Sequence, residues 1–468
     1  MIYNVLKEME DRLEINNMVI EIKIKLRNLI DRPKKMIDFI NSVLKPKEVE
    51  KKTYGEVYTP LPLVEEMVGK LDESYKEKHG KSIFSEPHLK WFDPCVGIGN
   101  FMTVVYYKLM IGLKGEIKSK IKRKKHIIEN MLYMSEMGRK NVEITRLIFN
   151  GENYKLNLFE GDTLELDTKE QWGVEKFDVV LGNPPFQGRG RKKPYIKFIN
   201  YGIDLLVSEG ILLFITPHLS INYLSGCEIV QNKIKKLYDI NYINADDNIK
   251  KKYFTNIGSD FCYFIIYKNN YKGDTTIIFK NGKKDKIKID FNTVISLDNN
   301  KDTIILKKLL RINCNEWNRK ASRINVDLKN EEDVQHKNKI IYKIKTNSVE
   351  YKYTHKTHKH FNMYKVLYPT LGNNYIIDYE KKLFPGTSFV VYILCSSIKE
   401  CENIIKLKDS KIFKYLERIF INQRSPKDYI WRNLIKPYDF DIDINNDVDI
   451  YKYFNLTDDE ISFIEKNY

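Results

Sequence analysis

Cysteine is scarce and scattered: six residues in a chain of 468, with no Cys-x-x-Cys pair. That excludes a disulfide scaffold and a cysteine zinc site, and it suits a reduced, cytoplasmic setting. Long apolar runs are also missing; none approaches the ~18–20 residues a membrane span needs. The opening stretch MIYNVLKEMEDRLEINN carries acids early and lacks an apolar core or small-residue cleavage site, so no signal peptide is expected. Neither an internal repeat nor a low-complexity tract is visible. What is present is the composition of a folded protein, 42% hydrophobic with 12% aromatics. At roughly 150 residues per domain, two or three domains are expected. Lys and Arg number 79 against 63 Asp and Glu, a net charge of +16. Such an excess suits a nucleic-acid partner, because cations that neutralise phosphates release counterions. A chain rich in Lys, Asn, Ile and Tyr equally fits a genome biased to A/T codons. Charge alone leaves both readings open.

Residues 1–50 read as a helical segment, with crowded apolar positions from Val19 to Ile30, and Lys45–Lys52 as a charged linker. Beyond about residue 90, short apolar runs alternate with amphipathic ones. Strands are predicted over Lys90–Cys95, Met131–Glu136, Leu156–Asp162, Phe177–Asn183, Gly210–Pro217, Tyr238–Ala245 and Asp260–Lys268. Helices are predicted over Asn100–Leu113, Gly138–Phe149, Tyr195–Val207 and Ile221–Leu237. The rhythm predicts an α/β fold, a mostly parallel sheet with helices on both faces, in which VVLG and ILLFIT are fully buried strands. No clear helix joins the last two strands, which leaves the final one free to run antiparallel. After about residue 270 the rhythm fades into basic and aromatic-polar stretches, expected to be a separate mixed α+β domain.

Two local patterns carry chemistry. In Phe92-Asp93-Pro94-Cys95-Val96-Gly97-Ile98-Gly99-Asn100-Phe101 a strand ends in an acid, a glycine turn follows and a helix begins. Gly97 and Gly99 let the backbone turn sharply and let a ligand approach, and Asp93 can bind an amino group or hydroxyl. Met102 stands where a dinucleotide fingerprint has its third glycine, which disfavours nicotinamide cofactors. In Asn183-Pro184-Pro185-Phe186, two prolines after a buried strand remove two donors. The turn then offers the Asn183 amide oxygen and the Pro184 carbonyl as acceptors, suited to a planar amine, with Phe186 to stack on its ring. Both patterns fall at carboxyl ends of predicted parallel strands, where such sheets bind ligands.

Together, DPCVGIGNF and NPPF resemble the S-adenosylmethionine-dependent amino-methyltransferases, in particular the DNA N6-adenine methyltransferases of gamma motif order found in restriction-modification systems. Thr53-Tyr54-Gly55-Glu56-Val57-Tyr58-Thr59-Pro60, followed by Leu63-Val64-Glu65-Glu66-Met67, is similar to that family's motif upstream of the glycine loop. The resemblance implies a class I, Rossmann-like, mostly parallel seven-stranded sheet in a catalytic domain at 51–270. It places a target-recognition domain after it at 271–468, and the helical segment read at 1–50 precedes it. S-adenosylmethionine is the implied cofactor, held by Thr59, Pro60, Asp93, Pro94, Gly97, Gly99, Phe101, Glu136 and Asp162. Asp93 and the glycine turn would bind its methionine part, Thr59 would lie near its carboxylate, Glu136 would accept the ribose hydroxyls, and Asp162 would bind the adenine amine. Asn183, Pro184, Pro185 and Phe186 would hold the target base. Duplex DNA, and in a complete restriction system a cognate endonuclease, are the implied partners. One departure stands out: Glu136 lies about 43 residues beyond Asp93, against the ~20 expected. The extra length is the basic stretch Lys114–Asn130, read as a helix extension.

Further segments need weighing. Pro94-Cys95 matches the dipeptide of cytosine-C5 methyltransferases, but Cys95 sits inside the cofactor turn with no activating base nearby in sequence. His355, His358 and His360 alternate with lysines, which suits a solvated DNA-facing loop better than a metal site. Arg189, Arg191, Lys192 and Lys193 follow the catalytic turn directly and suit phosphates beside the target base. Asn422-Gln423-Arg424-Ser425 and Trp431-Arg432-Asn433 carry side chains suited to base edges. Alternative activities are methylation of RNA or of a protein glutamine, and a fused endonuclease-methyltransferase. The large C-terminal domain favours DNA, and the short N-terminal segment leaves little room for a nuclease.

Overall fold

The computed structural model describes residues 34, 58–149, 154–186, 194–217, 239–254, 260–269, 273–289, 295–311, 314–323, 338–344, 348–354, 356–421, 425–436, 444 and 446–468. The predicted N-terminal helical segment (Lys34 aside), the predicted helix Ile221–Leu237, the basic loop Arg189–Lys193 and Asn422–Arg424 lie outside these residues. The chain divides into two compact units, Met1–Ile289 and Asp290–Tyr468.

The first unit is built on a nine-stranded sheet. Its strands are β1 (Trp91–Asp93), β2 (Leu132–Glu136), β3 (Asn157–Glu160), β4 (Phe177–Gly182), β5 (Leu206–Pro217), β6 (Asp239–Asn244), β7 (Phe261–Tyr267), β8 (Thr275–Ile278) and β9 (Lys284–Ile287). They lie in the order β3-β2-β1-β4-β5-β7-β6-β8-β9. β1 to β5 are mutually parallel, β7 runs antiparallel between β5 and β6, and β8 is parallel to β6. The predicted seven strands are therefore all present, but the sheet has two more. β8 and β9 read TTII and KDKI, too short and too polar to stand out, and β9 closes an outer edge where lysines discourage stray pairing. They carry the sheet past residue 270, to Ile287.

The central strands explain the stability of this unit. Every residue of β7 is buried, and so are Val179, Val180 and Leu181 of β4, as expected where helices cover both faces. The Phe92 ring stacks on Phe177 at 4.7 Å, and Tyr133 meets Phe177 edge-on at 5.3 Å. Emptying that cluster with Phe92→Ala would cost about 3–5 kcal/mol.

Helices α1 (Leu61–His79), α2 (Asn100–Gly112), α3 (Lys120–His126), α4 (Arg139–Phe149), α5 (Thr168–Trp172), α6 (Pro194–Asp204) and α7 (Asp247–Tyr253) complete the described part of this unit. The basic stretch after α2 does not extend that helix. α2 ends at Gly112, where a Cβ would fall 2.3 Å from the Phe84 carbonyl oxygen, and α3 restarts with Ser119 as its N-cap. α3 then passes through a π-turn, Ile127–Met131, directly into β2. α7 fills the link between β6 and β7, capped by the Asp246 side chain, which accepts the Asn248 N–H at 2.9 Å.

The second unit is mixed α+β. A four-stranded antiparallel sheet orders Arg319–Lys320, Val390–Cys395, Tyr364–Pro369 and Ile376–Ile377, and a three-stranded sheet orders Val349–Thr354, Asn338–Ile344 and Leu383–Pro385. Two groups expected at its surface belong to its interior. His360 is buried with Nδ1 2.7 Å from the Tyr392 hydroxyl, and His358 packs on the Phe384 ring at 4.4 Å. Trp431 is fully buried and donates to the Tyr375 hydroxyl at 2.8 Å, while buried Asn433 donates to the Tyr429 carbonyl. His360, Trp431 and Asn433 each pair with a different tyrosine, so Trp431 and Asn433 serve the core, while Arg432 between them is exposed. Among the described residues, no helix is long and apolar enough to cross a membrane, and no group of His, Cys, Asp and Glu is placed to hold a metal ion.

Candidate active site

Parallel pairing brings the carboxyl ends of β1 to β4 to one edge. Asp93 is level with Met134, Glu136 with Glu160, and Phe92 with Val180. Three turns leave that edge: the glycine turn after β1, the Asp162 turn after β3, and the Asn-Pro-Pro-Phe turn after β4. Gly97 and Gly99 adopt φ values of 56° and 90°, so the first turn needs glycine. A Cβ on Gly99 would also press within 3.2 Å of the Phe149 ring.

The acids are placed as follows. Glu136, ending β2, accepts the Gly97 N–H at 2.9 Å through one oxygen and the Gly138 N–H at 2.7 Å through the other. Despite its distance in sequence it reaches the glycine turn, because α3 and its flanking turns are accommodated before β2 begins. Asp93 is fully buried; one oxygen accepts the Cys95 N–H at 3.0 Å. The other oxygen receives no hydrogen bond from any described residue. Burial pushes the Asp93 pKa up to about 8, with the Glu136 charge adding to the rise and the Cys95 N–H opposing it. Half-buried Asp162 accepts the Leu164 N–H at 3.0 Å and so starts the short turn Thr163–Glu165. Thr163 in turn donates to the Pro94 carbonyl at 2.6 Å and tethers the Asp162 turn to the glycine turn.

Thr59 joins the upstream motif to both others. Its buried carbonyl accepts the Asn100 side-chain amide at 2.8 Å, and its hydroxyl accepts the Asn183 amide at 3.0 Å. That contact orients Asn183 with its Nδ2 towards Thr59. Asn100 Oδ1 is buried and receives no hydrogen bond from any described residue. The sequence displayed Asn100 directly after Gly99, at the start of a helix, yet assigned it no role. Tyr58 was missed too: its hydroxyl donates to Asn141 at 3.0 Å and its ring lies beside Gly97. Pro60 precedes α1, Pro94 is buried, and Phe101 is buried in the main core at the start of α2.

At the fourth strand, Gly182 takes φ 154°, and a Cβ there would fall 2.7 Å from Asp93 Oδ1. The turn holding Asn183 is thus pressed against the acid of the glycine turn. Pro184 is buried, Pro185 and Phe186 are half-buried, and Phe186 packs against the edge of the core. Cys95 faces the same acids: desolvation, then the Asp93 and Glu136 charges, push its thiol well above the usual range. That direction opposes formation of the thiolate and so disfavours a cytosine-C5 mechanism.

Comparison with known proteins follows the same lines. A model of the family described as N-6 DNA methylase matches residues 42–338. An uncharacterized adenine-specific methylase of Mycoplasma pneumoniae is 28% identical over 336 residues, covering 54% of this chain and 77% of that protein. Similar solved structures include a modification subunit of a putative type I restriction enzyme from Vibrio vulnificus, at 14% identity and a TM-score of 0.40 over 54% of this chain and 51% of that one. A putative class I S-adenosylmethionine-dependent methyltransferase from Listeria monocytogenes is 15% identical with a TM-score of 0.39, over 58% of this chain and 81% of that one. The chain thus spans about half the length of the Vibrio subunit.

Proposed function

The chain belongs to the N-6 DNA methylase family, and from that premise we propose that it methylates the N6 amino group of adenine in duplex DNA, using S-adenosylmethionine. The observation that carries the reading is Thr59, whose two oxygens hold the helix of the glycine turn and the catalytic amide together at one sheet edge.

The residues fit the cofactor. A buried carboxyl oxygen at Asp93 and a buried amide oxygen at Asn100, neither with a partner among the described residues, suit the N–H donors of an ammonium group. Glu136, at the end of β2 beside the glycine turn, would face the ribose hydroxyls, and Asp162 lies on the same edge for an adenine amine. S-adenosylmethionine supplies a sulfonium-bound methyl group, an electrophile that needs no activation by the protein.

The protein's task is the amine. The N6 lone pair of adenine is delocalised into the ring, so the nitrogen is a poor nucleophile until its hydrogens are drawn out of plane. The Asn183 side-chain oxygen and the Pro184 carbonyl would accept those two hydrogens, favour tetrahedral geometry and aim the lone pair. Thr59 fixes which end of the Asn183 amide faces the base, because it already takes the N–H end. Phe186 would stack on the purine, which must leave the duplex to reach this turn. Asp290–Tyr468 is the proposed target-recognition unit, and the setting proposed is restriction-modification, with a cognate endonuclease as partner.

The test is methyl transfer from labelled cofactor to duplex DNA, RNA and protein in parallel. Label at adenine N6 in DNA is the expected outcome; label only in RNA or protein would refute the reading.

A further inference from the structure

One register row runs across the sheet from the catalytic turn to a surface that methyl transfer does not use. Gly182, next to Asn183, is level with Phe214 of β5, Phe214 with Phe264 of β7, Phe264 with Ile243 of β6, and Ile243 with Ile277 of β8. The β8–β9 turn therefore leaves the sheet on the same edge as the Asn-Pro-Pro-Phe turn. It is rich in lysine, with Lys280, Lys283 and Lys284, and α7 leaves the same edge after β6 with Lys250, Lys251 and Lys252. Lys251, Lys252, Lys283 and Lys284 are exposed.

The platform beneath them is rigid. The Phe279 ring is buried, Phe279 N–H donates to the Lys283 carbonyl at 2.9 Å, and Gly282 at φ 77° closes the turn. The turn is pinned to the start of α7, with Asp247 N–H donating to the Lys280 carbonyl at 3.1 Å. Asp260 pairs with Lys250 at 2.9 Å and with Lys280 at 3.3 Å, while Asp246, Asp247 and Asp285 are half-buried. The fully exposed charges of the turn and of α7 are lysines.

We propose that the β8–β9 turn and α7 form a phosphate-binding platform for the duplex that carries the target adenine. The proposal rests on the methyltransferase reading above. Four strand spacings separate β4 from β8, about 19 Å at ~4.8 Å each. At ~3.4 Å per base pair, the platform grips phosphates roughly six base pairs from the flipped nucleotide. Such contacts set the register of the duplex without reading its sequence.

The test uses the full chain with Lys251→Gln, Lys283→Gln and Lys284→Gln combined, and a mixed-sequence duplex of about three helical turns. Binding is followed by fluorescence anisotropy across a salt series, with cofactor affinity and thermal midpoint as controls. The expected result is a salt slope shallower by about 2–3, with both controls unchanged. The triple Lys→Arg variant should restore the slope. An unchanged slope would overturn the proposal, and so would a variant that aggregates while binding DNA normally, since its lysines would then only guard a sheet edge. If the variant loses the slope while wild type transfers no methyl group to DNA, the platform stands and the methyltransferase reading falls. If wild type methylates DNA and the slope is unmoved, the reverse holds.

Discussion

Two lysine-rich pieces of the first unit, α3 and the β8–β9 turn with α7, look alike in composition and sit on opposite edges of one sheet. α3 runs into the beginning of β2, and His126 Nε2 lies 2.8 Å from the Pro87 carbonyl, in the segment leading into β1. It therefore crowns the edge where the parallel strands start. The β8–β9 turn stands where they end, on the edge from which Asn183 projects. Part of α3's charge also has a structural task, since Arg123 is buried and donates to the Ile117 carbonyl at 2.6 Å. A run of cations thus acquires meaning only from the edge to which the topology delivers it.

If the carboxyl edge alone performs the chemistry, changes there should be severe. Asn183→Ala should lower single-turnover methyl transfer by at least about 10²–10³-fold while calorimetry shows cofactor affinity held within a few-fold. Normal transfer by this variant would break the distinction between the edges at its centre. Asp93→Asn should weaken the cofactor by about 10–100-fold, as expected for disturbing a hydrogen bond to a charged group. It should also change how stability depends on pH. Because Asp93 titrates higher in the fold than in the unfolded chain, its contribution is greatest below about pH 4 and is lost as pH rises towards 8. Urea unfolding across that range should show the slope in wild type and a flatter profile in the variant. Gly182→Ala should cost about 2–3 kcal/mol in the same assay, because the added Cβ meets Asp93. The smallest effect is the sharpest control: Lys120→Gln, Lys122→Gln and Lys125→Gln combined should leave the DNA salt slope unmoved. A shallower slope here would show that both edges meet DNA.

The legible parts of this molecule are those encoded over a few neighbouring residues. Asp93, Gly97, Gly99 and Asn183 stood out because a strand end, a turn and a helix start each demand particular residue types. β1 to β7 were visible through their apolar runs. β8 and β9 were not, since four residues of mixed polarity carry too little periodicity. Contacts between distant segments were hidden as well: the Thr59–Asn183 bond spans residues far apart in the chain. His360 and Trp431 misled for a related reason, because their polar atoms pair with tyrosines that only the folded second unit brings near. α3 was mistaken for a continuation of α2, because the close approach of Phe84 that halts the helix at Gly112 is a tertiary fact.

The turn between α2 and α3 offers a place to build. Lys114, Gly115, Glu116, Lys118 and Ser119 are exposed, and the connection already holds a helix beyond the ordinary spacing. It opens away from the edge where cofactor and base would meet. A fluorescent reporter or a sequence-targeting domain grafted between Gly115 and Ser119 would therefore ride on the enzyme without obstructing its substrates, making this loop the natural splice point for a steerable methylation tool.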